Sequence, residues 1–194
     1  MATPDDSPGA DRDRENLNGG EWTMLLVDHP EYAEHCDWTK LNAHDCEYLL
    51  LKRPELADRC DWEKLDGNQW LSLLLKRPEL AEHCDWEKLD GDNWVYLLIA
   101  RPESAEHCDW EKLDGDNWCL LLGNHPEFAE HCDWEKINGR DLNELFLKFP
   151  EMRKFIPPHR AKEILGWAWH YRRGRKLLEK SFLAAFPAKK RKDT

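Results

Sequence analysis

The sequence predicts an all-α chain: an α-solenoid of short two-helix repeats, α plus 3₁₀, with a helical C-terminal cap. Three observations carry this prediction. Cys-Asp-Trp recurs at Cys36, Cys60, Cys84, Cys108 and Cys132, always 24 residues apart, and the surrounding text returns with it. Within each unit the apolar residues keep helical spacing, and strand alternation is absent. The 194 residues include 11 tryptophans and are 41% hydrophobic, enough burial to exclude disorder throughout even though 35% are charged. No apolar run approaches the ~18 residues of a membrane span.

The organisation follows from the repeat. Residues 1–17 are read as a disordered acidic leader; MATPDDSPGADRDRENLNGG has no apolar stretch of the kind an export signal needs. Residues 18–149 form the repeat array, with units 18–41, 42–65, 66–89, 90–113, 114–137 and a partial one at 138–149. Residues 150–187 are expected to be a basic helical cap, and 188–194 a basic tail.

The fourth unit shows the logic of one repeat. Trp94, Leu97 and Leu98 stand at i, i+3 and i+4, the stripe of an amphipathic helix. Asp92 is its expected N-cap, after the turn dipeptide Asp90-Gly91. Arg101 precedes Pro102, so the helix should stop there and Pro102 should open a second one, ending near Cys108. Asp109 then caps a tight 3₁₀ turn through Trp110 to Lys112. Such a unit cannot bury its apolar face alone. Stacking would build a core from the ladders Trp70/Trp94/Trp118, Leu73/Leu97/Leu121 and Ala81/Ala105/Ala129, at ~1.5–3 kcal/mol per large apolar side chain.

Over residues 18–150 the text W..LL...PE.A..CDW.KL.G resembles tandem units of bacterial proteins to which no function is attached. The period also resembles that of the leucine-rich repeat variant, which implies a right-handed solenoid of alternating α- and 3₁₀-helices. The residues themselves leave the hand open, and the resemblance implies no activity.

Seven cysteines raise disulfides and metals. Five lie on the 24-residue ladder; Cys46 and Cys119 fall in first helices, Cys46 at the place of Trp22, Trp70 or Trp94. Stacked helical layers lie ~8–10 Å apart, beyond the ~7 Å that a disulfide allows between Cα atoms. Rung-to-rung pairing is therefore excluded, and reduced thiols in a reducing, cytoplasmic compartment are expected. The His-Cys pairs at 35–36, 83–84, 107–108 and 131–132 point ~100° apart on a helix, and Arg59 breaks the series, so zinc is the weaker reading beside buried Cys and exposed His. Asp-Gly-Asp-Asn at 90–93 and 114–117 partly matches a calcium loop but lacks its sixth-position Gly and twelfth-position Glu. No cofactor is expected. No catalytic motif is present, and periodic Glu and His are unlike a singular active site, so the chain is read as no enzyme.

Charge gives the functional expectation. Residues 1–147 carry 14 basic and 35 acidic side chains, net −21, and residues 148–194 carry 14 and 4, net +10. Glu79, Glu82 and Asp85, Glu103, Glu106 and Asp109, and Glu127, Glu130 and Asp133 repeat in register and predict an acidic stripe. The expected function is a non-enzymatic interaction scaffold binding a basic protein partner along that stripe. Two alternatives stand beside it. One is nucleic-acid binding through Arg172, Arg173, Arg175, Lys176, Lys189, Lys190, Arg191 and Lys192, the last four also matching a nuclear-import signal should the protein act in a eukaryotic cell. The other is an acidic mimic of nucleic acid that occupies a nucleic-acid-binding protein.

Overall fold

Every repeat opens on a polar cap. The computed structural model describes residues 16–157 and 159–160, and among them all regular structure is helical. Six ten-residue helices recur every 24 residues: α1 (Gly19–Asp28), α2 (Ala43–Lys52), α3 (Gly67–Lys76), α4 (Gly91–Ala100), α5 (Gly115–Asn124) and α6 (Gly139–Lys148). Asn18 Oδ1 accepts from the Glu21 amide at 3.0 Å while the Glu21 carboxylate accepts from the Asn18 amide at 2.8 Å. Asn42/Asp45, Asp66/Gln69 and Asp114/Asn117 form the same reciprocal box, which satisfies amides that a helix start leaves orphaned. In the fourth repeat the box joins Asp90 and Asn93, at 3.2 and 2.8 Å. The expected cap at Asp92 is thus corrected to Asp90. Gly91 is the first helical residue rather than half of a turn.

Proline sets the stop. His29, Arg53, Arg77, Arg101, His125 and Phe149 each precede a proline, and each takes φ near −135° with ψ near 70°. The proline ring disfavours helical backbone in the residue before it. The chain resumes from the proline as a 3₁₀ segment: Pro30–His35, Pro54–Arg59, Pro78–His83, Pro102–His107, Pro126–Glu130 and Pro150–Lys154. An extended Cys then leads to an Asp whose carboxylate caps a three-residue 3₁₀ turn, at Trp38–Lys40, Trp62–Lys64, Trp86–Lys88 and Trp110–Lys112. These are the expected turns. Units of this kind packing on their sequence neighbours make a helical solenoid.

The chain divides into two units, Met1–Asn93 and Trp94–Thr194. In the first, Trp22, Leu26, Leu49, Trp70 and Leu73 are fully buried from the helices, and Leu41, Leu65 and Leu89 from the turns. Trp62 lies stacked between Trp70 of the next helix, centroids 5.2 Å apart, and His83 of the next 3₁₀ segment at 4.5 Å. In the second unit Leu97, Leu113, Trp118, Leu121 and Leu142 are buried. Trp110 repeats the sandwich there, 5.6 Å from Trp118 and 4.5 Å from His131. His83 and His131 are therefore stacking partners for tryptophan. Each tryptophan and leucine of the expected ladders is buried, but of the alanines only Ala129 is fully buried; Ala81 and Ala105 remain half-exposed.

Two cationic clamps join successive repeats. In the first unit Lys64 Nζ donates to the Leu41, Thr39 and Trp38 carbonyls at 2.7, 3.3 and 3.4 Å, and Lys88 Nζ to those of Leu65 and Glu63, both at 2.9 Å. In the second, Lys136 reaches Leu113 and Glu111 at 2.8 and 2.7 Å. The other clamp starts from the residue before proline: Arg53 Nε donates to the Val27 carbonyl at 2.7 Å, and Arg77 Nη2 to that of Leu51 at 2.7 Å. Each satisfies carbonyls that helix or turn ends leave open.

The lysine register also shows where the sixth repeat ends. Arg160 lies 24 residues after Lys136, is buried, and donates to the Ile137 and Trp134 carbonyls. Residues 150–157 and 159–160 thus continue the repeat's backbone course, and the change in text after Pro150 is one of residue identity. The expected leader (through residue 15) and the cap and tail beyond residue 160 lie outside the described residues.

Glycine opens several of these helices because the following turn presses on it. A Cβ on Gly115 would sit 2.3 Å from the Lys136 carbonyl oxygen, and one on Gly67 2.5 Å from that of Lys88. Gly115→Ala should lower unfolding free energy by about 1–2 kcal/mol, within the usual overpacking range. The second repeat carries Ala43 at this position, so the backbone can yield somewhat. Urea denaturation checks it; an unchanged midpoint would show that the close approach is not obligatory.

Candidate functional site

The acidic positions lie on the 3₁₀ side of the repeat. Glu79, Glu103 and Glu127 are the second residues of proline-led segments, placed there by the open amides and positive end of a helix start. Glu82, Glu106 and Glu130 follow three residues on. Asp85, Asp109 and Asp133 each accept the amide two residues ahead, at 3.2, 3.2 and 3.1 Å. All nine are exposed. Glu79, Glu82 and Asp85 belong to the first unit and the other six to the second.

The glutamates are partly answered from within the chain. Arg77 lies 3.7 Å from Glu79, Arg101 3.5 Å from Glu103, and His125 2.8 Å from Glu127. His83, His107 and His131 lie 3.4–3.8 Å from Glu82, Glu106 and Glu130. Exposed pairs of this kind contribute little and leave the carboxylates open to a partner. The aspartates have a local task as caps of the 3₁₀ turns, which the glutamates do not share.

His125 is the most constrained member. Its Nδ1 faces Glu127 at 2.8 Å and its Nε2 faces the Ile99 carbonyl at 3.1 Å, so both ring nitrogens meet acceptors. The hydrogen bond to Glu127, then that to Ile99, raises its pKa, and the same bond to His125 holds the Glu127 carboxyl below the usual range. A raised histidine stabilises most below its unfolded pKa, and that contribution fades as pH climbs through the folded value.

The remaining candidates resolve locally. The Asp-Gly-Asp-Asn stretches are capping boxes, with Asp90 and Asp114 accepting the amides of Asn93 and Asn117. Among the described residues no three His, Cys, Asp or Glu side chains converge to hold an ion. No helix there is long and apolar enough to cross a membrane. All seven cysteines are free thiols, and burial first of all pushes Cys36, Cys84, Cys108 and Cys119 up to about 12. Arg172, Arg173, Arg175, Lys176, Lys189, Lys190, Arg191 and Lys192 lie outside the described residues.

The sequence reading missed a set of exposed apolar side chains on the α-helices: Met24 and Tyr48 in the first unit, Tyr96, Leu120 and Leu147 in the second. The first four recur in register, two residues after the tryptophan position. Two helical steps turn the side chain ~200°, away from the buried indole. That offset was present in the text. No protein-family model, no curated protein and no solved structure matches the chain.

Proposed function

We propose that the chain is a non-enzymatic scaffold that binds a basic protein partner along the 3₁₀ side of its repeats. The observation that carries this reading is the recurrence of Glu79/Glu82, Glu103/Glu106 and Glu127/Glu130, exposed at the same two places in successive repeats. Repetition gives a partner several weak charge contacts at once, which suits an extended basic segment better than one strong site. Its resemblance in period to the leucine-rich repeat variant fits a binding array, and the free thiols fit work in a reducing cytoplasm.

The test compares two variants of equal charge change, with a lysine-rich peptide as ligand. One carries Gln at Glu103, Glu106, Glu127 and Glu130; the other carries Asn or Gln at the exposed acids Asp92, Asp116, Glu111 and Glu144. At low salt the first should bind about tenfold more weakly, worth ~1.4 kcal/mol, while the second stays within a few-fold of the parent. Equal weakening in both would reduce the effect to net charge and overturn the assigned surface.

A further inference from the structure

The sixth repeat breaks the alanine ladder with a cation. Arg153 stands 24 residues after Ala129, where earlier repeats carry Ala33, Ala57, Ala81 and Ala105. It is only 8% exposed. Its guanidinium lies over the Phe146 ring of α6, the central carbon 4.0 Å from the ring centroid. The other arginines among the described residues each meet an oxygen. Arg53, Arg77 and Arg160 reach backbone carbonyls, and Arg59, Arg101 and Arg140 reach glutamates. Arg153 has no such acceptor among the described residues, and its Nε is fully buried without one. Nη1 and Nη2 are not closed off in that way, so the charge is sunk in the wall with its two terminal nitrogens outermost.

We propose that the Arg153 guanidinium, backed by Phe146, is a binding site for a carboxylate ligand. A buried cation without a counter-charge is costly, and a ring face answers only part of that cost. Burial accordingly lowers the Arg153 pKa. The two terminal nitrogens carry parallel N–H donors at a fixed spacing, which match the two oxygens of a carboxylate end-on. Phosphate could meet the same fork. Residues 1–147 carry a net charge of −21, however, and that field repels a dianion more than a singly charged acid. The site is confined to the sixth repeat, because an alanine at this place offers no charge. It is also independent of the glutamate surface, which calls for a basic partner where this site calls for an acidic one.

The full chain is titrated with sodium acetate at constant ionic strength, chloride making up the balance, and the arginine Nε–Hε resonances are followed by NMR. Contact with the Phe146 ring protons identifies the Arg153 signal without a variant. That signal should move and saturate with a midpoint in the millimolar range, as suits so small a ligand. Arg153→Lys, which keeps the charge and loses the fork, should abolish the acetate-dependent rise in thermal midpoint that the parent shows. Replacing Glu163, Glu179 and Asp193, the acidic side chains after residue 160, by Gln, Gln and Asn should leave the acetate midpoint unchanged. A shift that does not saturate, tighter binding of phosphate than of acetate, or an undiminished rise in Arg153→Lys would each overturn the proposal. So would an acetate response seen only after the three acids are replaced, since the chain's own carboxylate would then hold the place.

Discussion

Trp118→Ala is expected to lower the unfolding free energy by about 3–5 kcal/mol, whereas Trp118→Phe should cost under about 1.5 kcal/mol. The side chain is fully buried and stacks on Trp110, so truncation leaves a cavity the size of an indole in the middle of a junction. Its Nε1, like those of Trp22 and Trp70, is buried with no hydrogen-bond acceptor. A buried unsatisfied N–H costs ~1–3 kcal/mol, so the native indole already carries a penalty that phenylalanine removes. Loss of ring area and relief of that penalty nearly offset each other in the Phe variant. Urea denaturation followed by far-ultraviolet circular dichroism tests the contrast. Equal destabilisation by Ala and Phe would show that the indole N–H contributes something its surroundings do not reveal. In an array held by neighbour contacts, the loss falls on the junctions that flank the fifth repeat.

How far the sequence foretold this fold depends on what each signal encodes. Proline before a 3₁₀ segment and Asp before Trp-x-Lys are local chemistry, and both were legible from one repeat. The cap at Asp90 was misplaced because Asp90 and Asp92 are equally good cap residues, and only the reciprocal bond with Asn93 separates them. The histidine that stacks on Trp62 or Trp110 comes from the following repeat, so no inspection of a single unit would pair them. Arg160 as the successor of Lys136 was hidden for a different reason. A change from ammonium to guanidinium, with Pro157 and Pro158 in place of Asp-Trp, disguised an unbroken register. The acidic positions were legible as exposed residues; that the three aspartates among them are caps required the turn geometry.

Lys64→Met is expected to destabilise the protein by about 1.5–3 kcal/mol, and Lys64→Arg to leave it nearly unchanged. Lysine at this place is a connector. Its ammonium bonds to three carbonyls of the preceding turn, the closest that of Leu41 at 2.7 Å, and those of Leu41 and Trp38 are part-buried. Methionine keeps the stem packing but leaves those oxygens without their donor, so the loss reports the charge-assisted bonds rather than volume. Arginine offers more donors and already does this work at position 160. Lys76→Met at the exposed end of α3 removes an equal charge, and a thermal or urea midpoint unaltered there but lowered at Lys64 separates clamp from net charge. Equal shifts at both sites would mean that the lysine ladder merely dilutes acidic repulsion. The clamp runs between the backbone ends of successive repeats, which is why it tolerates Thr39, Glu63 and Glu111 alike as neighbours in the turn it grips. A junction built on backbone acceptors asks only for a cation every 24 residues, and the surface residues of each repeat are then free to vary toward whatever the array binds.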